Sequence, residues 1–379
     1  MTLKGASTDE MRWRDYVLTR GKEFDSFWAE HGNEAGRRIL FIVGRGFDPR
    51  ATLGLIRLKK AAEKCEIDVL GLEFVDESTI STSEDRGAAE ANWDIIRNSV
   101  GDGSVSSRPV QFRSEDGRGI AARSAANIFA DATALDGYTD VVADISAMPQ
   151  VVYFPLISRL IFFHDELLNA GQAAPNVHVI VSEDPNLDTV IREHGVDETA
   201  GFLHPFEGPF NRESKGGYPA VWIPVLGEDR VTQLDRIYDL VKPDEVCPVL
   251  PSPARNPRRS DDIVMEYQNL LFDQLLVEPC NIIYASEYNP FDVYRQVRRT
   301  ALHYHHVLGL IGGCRLALSA LCSKVMSLGI LLVAYELKSS DVQLGIAHIE
   351  CQGYEIPKDT QMEVEFVGIW LAGECYRKE

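Results

Sequence analysis

The sequence has no surplus of positive charge, no long apolar run, no apolar leader and no cysteine pair at metal-binding spacing. Its 38 Lys and Arg stand against 57 Asp and Glu, a formal net charge of −19. Bulk coating of DNA or RNA is thereby excluded, because it needs a basic surface to displace counterions. A local basic pocket for a small anion is not excluded. The most apolar stretch, Val151–Phe163, is 13 residues long and contains Pro155 and Arg159. A membrane span takes about 20 apolar residues, so this stretch reads as a buried helix. The opening residues, Met1 to Glu10, lack the apolar core of a signal peptide. The seven cysteines (Cys65, Cys247, Cys280, Cys314, Cys322, Cys351, Cys375) are odd in number, scattered, and mostly set in apolar runs. That usage fits reduced packing thiols and a cytoplasmic protein, not a disulfide framework or a zinc ribbon.

What is present is an alternation of strands and helices over 379 residues, enough chain for about two domains. Residues 10–35 read as a helical lead-in, with Trp13, Tyr16, Phe24, Phe27 and Trp28 spaced for one apolar face. Strands are expected at Ile39–Val43, Glu66–Val75, Asp140–Ile145, Val177–Ser182, Val221–Leu226, Glu245–Leu250, Asn281–Ala285 and Arg315–Ser319, with helices between them. Residues 76–119 are rich in Ser, Gly, Asp and Glu and read as a polar surface excursion. Two further strands, Val342–Ile349 and Met362–Leu371, with a turn near Pro357–Thr360, read as a C-terminal β-hairpin.

The expected fold is therefore α/β, with two Rossmann-like halves and mostly parallel sheets. The expected division is a helical lead-in over 1–37, a first half over 38–215 and a second half over 216–379. Two matches suggest a repeat. Ile145-Ser146-Ala147-Met148 and Leu318-Ser319-Ala320-Leu321 each end a strand and open an apolar helix, and Asp48-Pro49 resembles Asn289-Pro290. Their offsets are 173 and 241, so a clean duplication would need 68 extra residues in the first half.

Four strand-end loops could carry chemistry. In Gly44-Arg45-Gly46-Phe47-Asp48-Pro49-Arg50, the glycines Gly44 and Gly46 permit close backbone approach and the next helix N-terminus attracts anions. Arg45 and Arg50 suit phosphate or carboxylate, while Asp48 suits the helix cap. The loop lacks both the third glycine of G-x-G-x-x-G and a Gly-Lys-Ser/Thr ending. Asp144 and Ser146 sit at a strand end, where they could bind ribose hydroxyls or a metal or supply a nucleophile, or where Ser146 could only cap the next helix and Asp144 satisfy loop amides. Ser319, Ser323 and Lys324 place two hydroxyls and a lysine at a helix start, where the lysine opposes the helix dipole unless an anion is bound. Glu287 lies in the loop Ser286–Asp292 and could contact a base or sugar, or act as a base.

Arg255, Arg258 and Arg259 form one basic cluster, and Arg295, Arg298 and Arg299 form another on a single helix. His303, His305 and His306 have no carboxylate to complete a metal site, so no metal and no particular cofactor is expected. Paired catalytic carboxylates, a Cys-His dyad and a Ser-x-x-Lys nucleophile are all missing, which leaves catalysis open.

Two α/β halves, the strand-end loops Gly44–Arg50 and Ser319–Lys324, and the lack of a catalytic motif resemble the Rossmann-like sensor domains of prokaryotic defence systems (CARF and SAVED domains). The resemblance covers about residues 38–350. It implies a phosphorylated, nucleotide-like second messenger bound in a cleft between the halves. It also implies output through another protein, a partner or a second copy of the chain, since no separate effector domain is visible. The alternatives are a nucleotide or sugar-phosphate hydrolase or transferase using Asp48, Asp144 or Glu287, and a structural subunit of a larger complex.

Overall fold

The computed structural model describes residues 11–75, 83–101, 103–184, 192–193, 197, 199–211, 217–350, 354–355 and 362–376. The chain divides into two compact units: residues 15–194 with 352–379, and residues 195–351 with 1–14.

The first unit runs β1 (Val17–Arg20), α1 (Lys22–His31), β2 (Arg38–Arg45), α2 (Arg50–Ala61), β3 (Glu66–Val75), α3 (Ser83–Val100), β4 (Val105–Gln111), α4 (Ala121–Ala126), β5 (Asp140–Asp144), α5 (Gln150–Asn169), β6 (Asn176–Glu183) and β7 (Arg192–Glu193). The second runs β8 (Gly201–Phe202), β9 (Ala220–Leu226), α6 (Val231–Val241), β10 (Glu245–Val246), β11 (Val249–Pro251), α7 (Arg259–Glu266), β12 (Ile283–Ala285), α8 (Pro290–Gly309), β13 (Arg315–Leu321), α9 (Lys324–Leu337) and β14 (Leu344–His348). The last strands are β15 (Tyr354–Glu355), paired with β7, and β16 (Glu365–Ala372).

The first sheet has the order β1-β16-β6-β5-β2-β3-β4. Strands β2 to β6 are mutually parallel, and β16 is antiparallel to both β6 and β1. The second has the order β12-β11-β9-β13-β14-β8, with β9, β11, β12, β13 and β14 parallel. With β10 and β11, which pair with β9 in one register, counted as a single interrupted strand, the five parallel positions of each sheet follow the order 3-2-1-4-5. The expectation of two α/β halves with mostly parallel sheets is met.

Local sequence explains the central strands. The run Ile39–Val43 in β2 is buried throughout, as a parallel strand covered on both faces requires. Alternate residues Ile39, Phe41 and Val43 pack with Leu55 and Leu58 of α2 and with Trp93 and Ile96 of α3. The apolar stretch Val151–Phe163 lies in α5, which continues through Pro155 and is buried along most of that length. No helix among the described residues is long and apolar enough to cross a membrane. In the second unit Trp222, Leu226, Leu234, Ile237, Leu250 and Tyr267 share one core cluster.

The polar stretch over 76–119 holds α3 and the edge strand β4. Of the two C-terminal strands, Leu344–His348 lies in the second sheet and Glu365–Ala372 in the first. The turn near Pro357–Thr360 falls outside the described residues. Helix α7 ends at Glu266 and is followed by a π-helical turn, Asn269–Gln274.

Candidate functional site

In a doubly wound sheet, neighbouring loops diverge at the carboxyl edge where the strand order reverses, and ligands bind in the crevice that opens there. Each unit has such a point: between β2 and β5 in the first, and between β9 and β13 in the second. A glycine marks both. A Cβ on Gly44 would stand 2.8 Å from the Phe74 ring and 3.3 Å from the carbonyl oxygen of Ala147. A Cβ on Gly227 would stand 3.0 Å from the carbonyl oxygen of Leu321 and 3.2 Å from Cys322 Cα. In each unit, then, the end of the first strand lies against the loop that follows the fourth.

The first unit brings Gly44, Arg45, Gly46, Asp48 and Arg50 to this edge, with Asp144 and Ser146 on the neighbouring strand end. The Arg50 side chain is buried and forms a forked pair with Asp48, Nη2 donating to Oδ2 at 2.8 Å and Nε to Oδ1 at 3.1 Å. Asp48 Oδ1 also accepts from the Arg50 backbone N–H at 2.9 Å, so its capping role is realised. Arg45 is paired with Glu73 at 3.0 Å and Glu90 at 3.2 Å, and lies over the Trp93 ring. Asn92 of α3, which the sequence did not single out, donates to the carbonyls of Gly46 (3.0 Å) and Asp48 (3.1 Å) and holds the loop.

Asp144 and Ser146 have no exposed surface. Asp144 Oδ1 accepts from the Ser146 backbone N–H at 2.9 Å and from the Ser146 hydroxyl. Ser146 Oγ in turn accepts from the Ser182 N–H at 2.8 Å. These bonds tie the end of β5 to the end of β6.

In the second unit Glu287, Ser323 and Lys324 lie at the carboxyl edge, while Ser319 faces inward, accepting from Trp222 Nε1 at 2.9 Å. Ser323 caps α9, its hydroxyl accepting from the Met326 N–H at 3.3 Å, and Lys324 is the first residue of that helix. Glu287 accepts from the Arg255 N–H at 2.9 Å and from the guanidinium of Arg259. Arg259 also grips Glu228 through two bonds of 2.6 Å. Burial alone would raise the Glu228 carboxyl, but the Arg259 guanidinium overcomes that and holds it below its ordinary value. The loops after the first and third strands are thereby joined through an arginine from α7. Asp229, in the first of these loops, has φ of 59°, the left-handed region that an Asp tolerates better than most residues.

The second basic cluster is divided, with Arg298 buried and Arg299 exposed. Arg298 is buried and donates to Glu336 at 2.9 Å, and Arg295 donates to the Arg14 carbonyl at 2.6 Å.

Among the described residues, a group of metal-type ligands lies at the opposite, amino edge of the first sheet. His31 ends α1, Asp140 begins β5, and His178 is in β6. Their ligand atoms lie within 4.8 Å of one another and all three residues are buried. No sequence signal points to them, because they are far apart in the chain and share no motif. His303, His305 and His306 lie on α8, where His305 faces Asp341 at 3.5 Å.

No family model and no curated protein matches the chain. Among solved structures it is similar to a type III CRISPR defence DNA nuclease activated by cyclic oligoadenylate, with 9% identity and a TM-score of 0.44, covering 84% of this chain and 68% of that one. It is also similar to the glycosyltransferase SsfS6 of Streptomyces sp. SF2575 complexed with thymidine diphosphate, with 11% identity and a TM-score of 0.17, covering 80% of this chain and 92% of that one. Neither overlap is close enough to carry a function across.

Proposed function

We propose that this chain is a ligand-binding protein that takes a phosphorylated, nucleotide-like molecule at a strand-end crevice, as a sensor acting through another protein. The observation that supports it is the repeated 3-2-1-4-5 order, in which each unit sets a glycine-ended first strand against the loop after the fourth. The crevice of the second unit has the better chemistry for phosphate. Lys324 and the N-terminal backbone of α9 offer positive charge there, and the exposed Arg258 belongs to the same edge. Ser323 joins Lys324 in holding phosphate, and Glu287 is the second-unit group for sugar or base. In the first unit the ligand-facing set is Gly44, Arg45, Gly46, Asp48 and Arg50, where a phosphate would compete with the carboxylates that now hold both arginines. The full burial of Asp144 and its bonds to Ser146 weigh against the hydrolase alternative that uses it as a base.

The test is thermal unfolding against nucleotides, cyclic oligonucleotides and sugar phosphates, with and without Mg²⁺. Cyclic oligonucleotides belong in the panel because the resemblance to CARF and SAVED domains implies them. A ligand at a hundred times its Kd should stabilise the fold by about 2.7 kcal/mol, and Lys324→Ala should remove most of that shift. No shift across the panel, or one unchanged in both Lys324→Ala and Arg258→Ala, would refute the reading. Product analysis of any binding molecule then separates sensor from enzyme.

A further inference from the structure

We propose that His31, Asp140 and His178 form a site for one divalent transition-metal ion of the zinc type, which fastens α1 to the first sheet. Three observations converge on it, and none depends on the ligand reading above.

The first is geometry. Two imidazole nitrogens from different elements aim at one carboxylate oxygen: His31 Nε2 lies 2.8 Å and His178 Nε2 3.1 Å from Asp140 Oδ1. Nitrogen and oxygen ligands about 2.1 Å from a tetrahedral zinc stand roughly 3.4 Å apart. Small outward movements of the three side chains would therefore admit the ion.

The second is donor crowding. Asp140 Oδ1 also faces Asn176 Nδ2 at 2.9 Å, so three nitrogens crowd an oxygen with two lone pairs, and with both Nε2 atoms protonated three N–H groups would compete for it. Oδ2 is already served by the Thr139 hydroxyl at 2.7 Å. If each imidazole carries its proton on Nδ1 instead, both Nε2 lone pairs are free for a cation. That tautomer shift changes no net charge.

The third is charge. Arg37 lies 3.6 Å from Asp140 Oδ2 and is also paired with Glu374 at 2.9 Å and with Glu34. Of the three carboxylates that share this guanidinium only Asp140 is buried, and at 3.6 Å it is the one held least closely. A cation held against Asp140 would offset a carboxylate charge that is costly to bury. Stacked or tilted rings of Phe27, Trp28 and Trp370 surround the histidines at centroid distances of 5.0–5.1 Å. A small, mostly apolar cavity lined by Thr19, Phe27, Trp28, His178 and Trp370 lies on the α1 side of His178. Such an enclosed site holds a structural ion, so binding and folding are coupled.

The experiment uses the full chain stripped with a chelator and titrated with Zn²⁺ alone, followed by calorimetry, elemental analysis and thermal unfolding. One equivalent should bind and raise the unfolding midpoint. Affinity should fall at least roughly tenfold in His31→Gln and in His178→Gln, and should be unchanged in the double variant His303→Ala, His306→Ala. Should the His31 or His178 variants fail to fold, Co²⁺ bound to the unaltered chain decides the matter. It should shift the imidazole NMR signals of His31 and His178 and leave those of His303 and His306 in place. The proposal falls if the stripped chain takes up no ion, if uptake survives in both His31→Gln and His178→Gln, or if Co²⁺ shifts only the α8 histidines.

Discussion

A polar side chain read from sequence shows its own chemistry but not the partner that the fold supplies. Arg45 reads as a phosphate ligand beside a glycine turn, yet its carboxylate partners are 28 and 45 residues away. Asp48 with Arg50 and Asp144 with Ser146, each two positions apart, are the pairs that spacing could have shown. Asp68 shows the same limit and gives a test. It is 3% exposed and accepts from the Ser104 N–H (2.6 Å), the Ser104 hydroxyl (2.7 Å), Tyr138 OH (2.9 Å) and Arg38 (2.7 Å). Burial alone would raise its carboxyl, but the Ser104 bonds, then Tyr138 and Arg38, outweigh it and hold the group below the ordinary 3.8. Arg38 is 40% exposed and screened by solvent, so Ser104 and Tyr138 contribute most. A depressed folded value means stability that is complete above the unfolded value and lost as pH falls through the folded one. Asp68→Asn should therefore lose about 1–3 kcal/mol near neutral pH. In urea unfolding the gap from the unaltered chain should narrow as the pH drops below 3.8. A gap that ignores pH would mean that shape, not charge, is what Asp68 supplies.

At the scale of elements, continuous apolar strands were readable because two-sided burial writes itself into the sequence. Strands β2, β5, β6, β9 and β13 all show it. The edge strand β4 was not readable. Its Val105-Ser-Ser-Arg-Pro-Val-Gln111 is mostly exposed, with only Val110 buried. Pro109 is tolerated because an edge strand has one unpaired side, so nothing marks it off from a loop. Close approach between elements is equally silent until a glycine is placed in space. Gly54 of α2 is such a case: a Cβ there would stand 2.0 Å from Asp144 Oδ2 and 3.4 Å from Ile180. By propensity alone, Gly→Ala in a helix gains about 1 kcal/mol. At Gly54 the crowding should win, because Asp144 is fixed to Ser146, and overpacking costs about 1–3 kcal/mol. A Cβ on Gly87 in α3 would meet nothing within 4 Å. Denaturant midpoints should therefore fall for Gly54→Ala and rise for Gly87→Ala. A rise in both would show that the Asp144 carboxylate yields freely.

For the whole molecule, topology clarifies what the sequence repeat left ambiguous. Ile145-Ser146 follow the fourth parallel strand of the first sheet, while Leu318-Ser319 lie inside the fourth strand of the second, three residues before its end, so that match joins the same strand but not the same position. Asp48-Pro49 follows the first strand and Asn289-Pro290 the third, which is why their offset differed. The first strands begin at Arg38 and Ala220 and the fourth at Asp140 and Arg315, offsets of 182 and 175. No large insertion is then needed to relate the sheets. Chain continuity cuts across this arrangement, because β16 comes after the second sheet in sequence yet pairs with β6 and β1 in the first. Its residues Val367 to Ala372 are almost fully buried there. Cutting the chain after Glu350 removes a strand that lies between two others, exposing the β6 edge and leaving β1 with no partner. Hydrogen exchange should accelerate in Val17–Arg20 and Asn176–Glu183, while Val221–Leu226 and Arg315–Leu321 keep their protection. Equal loss in both sheets would mean that the two units unfold as one, and the division of the chain into separately stable bodies would fail.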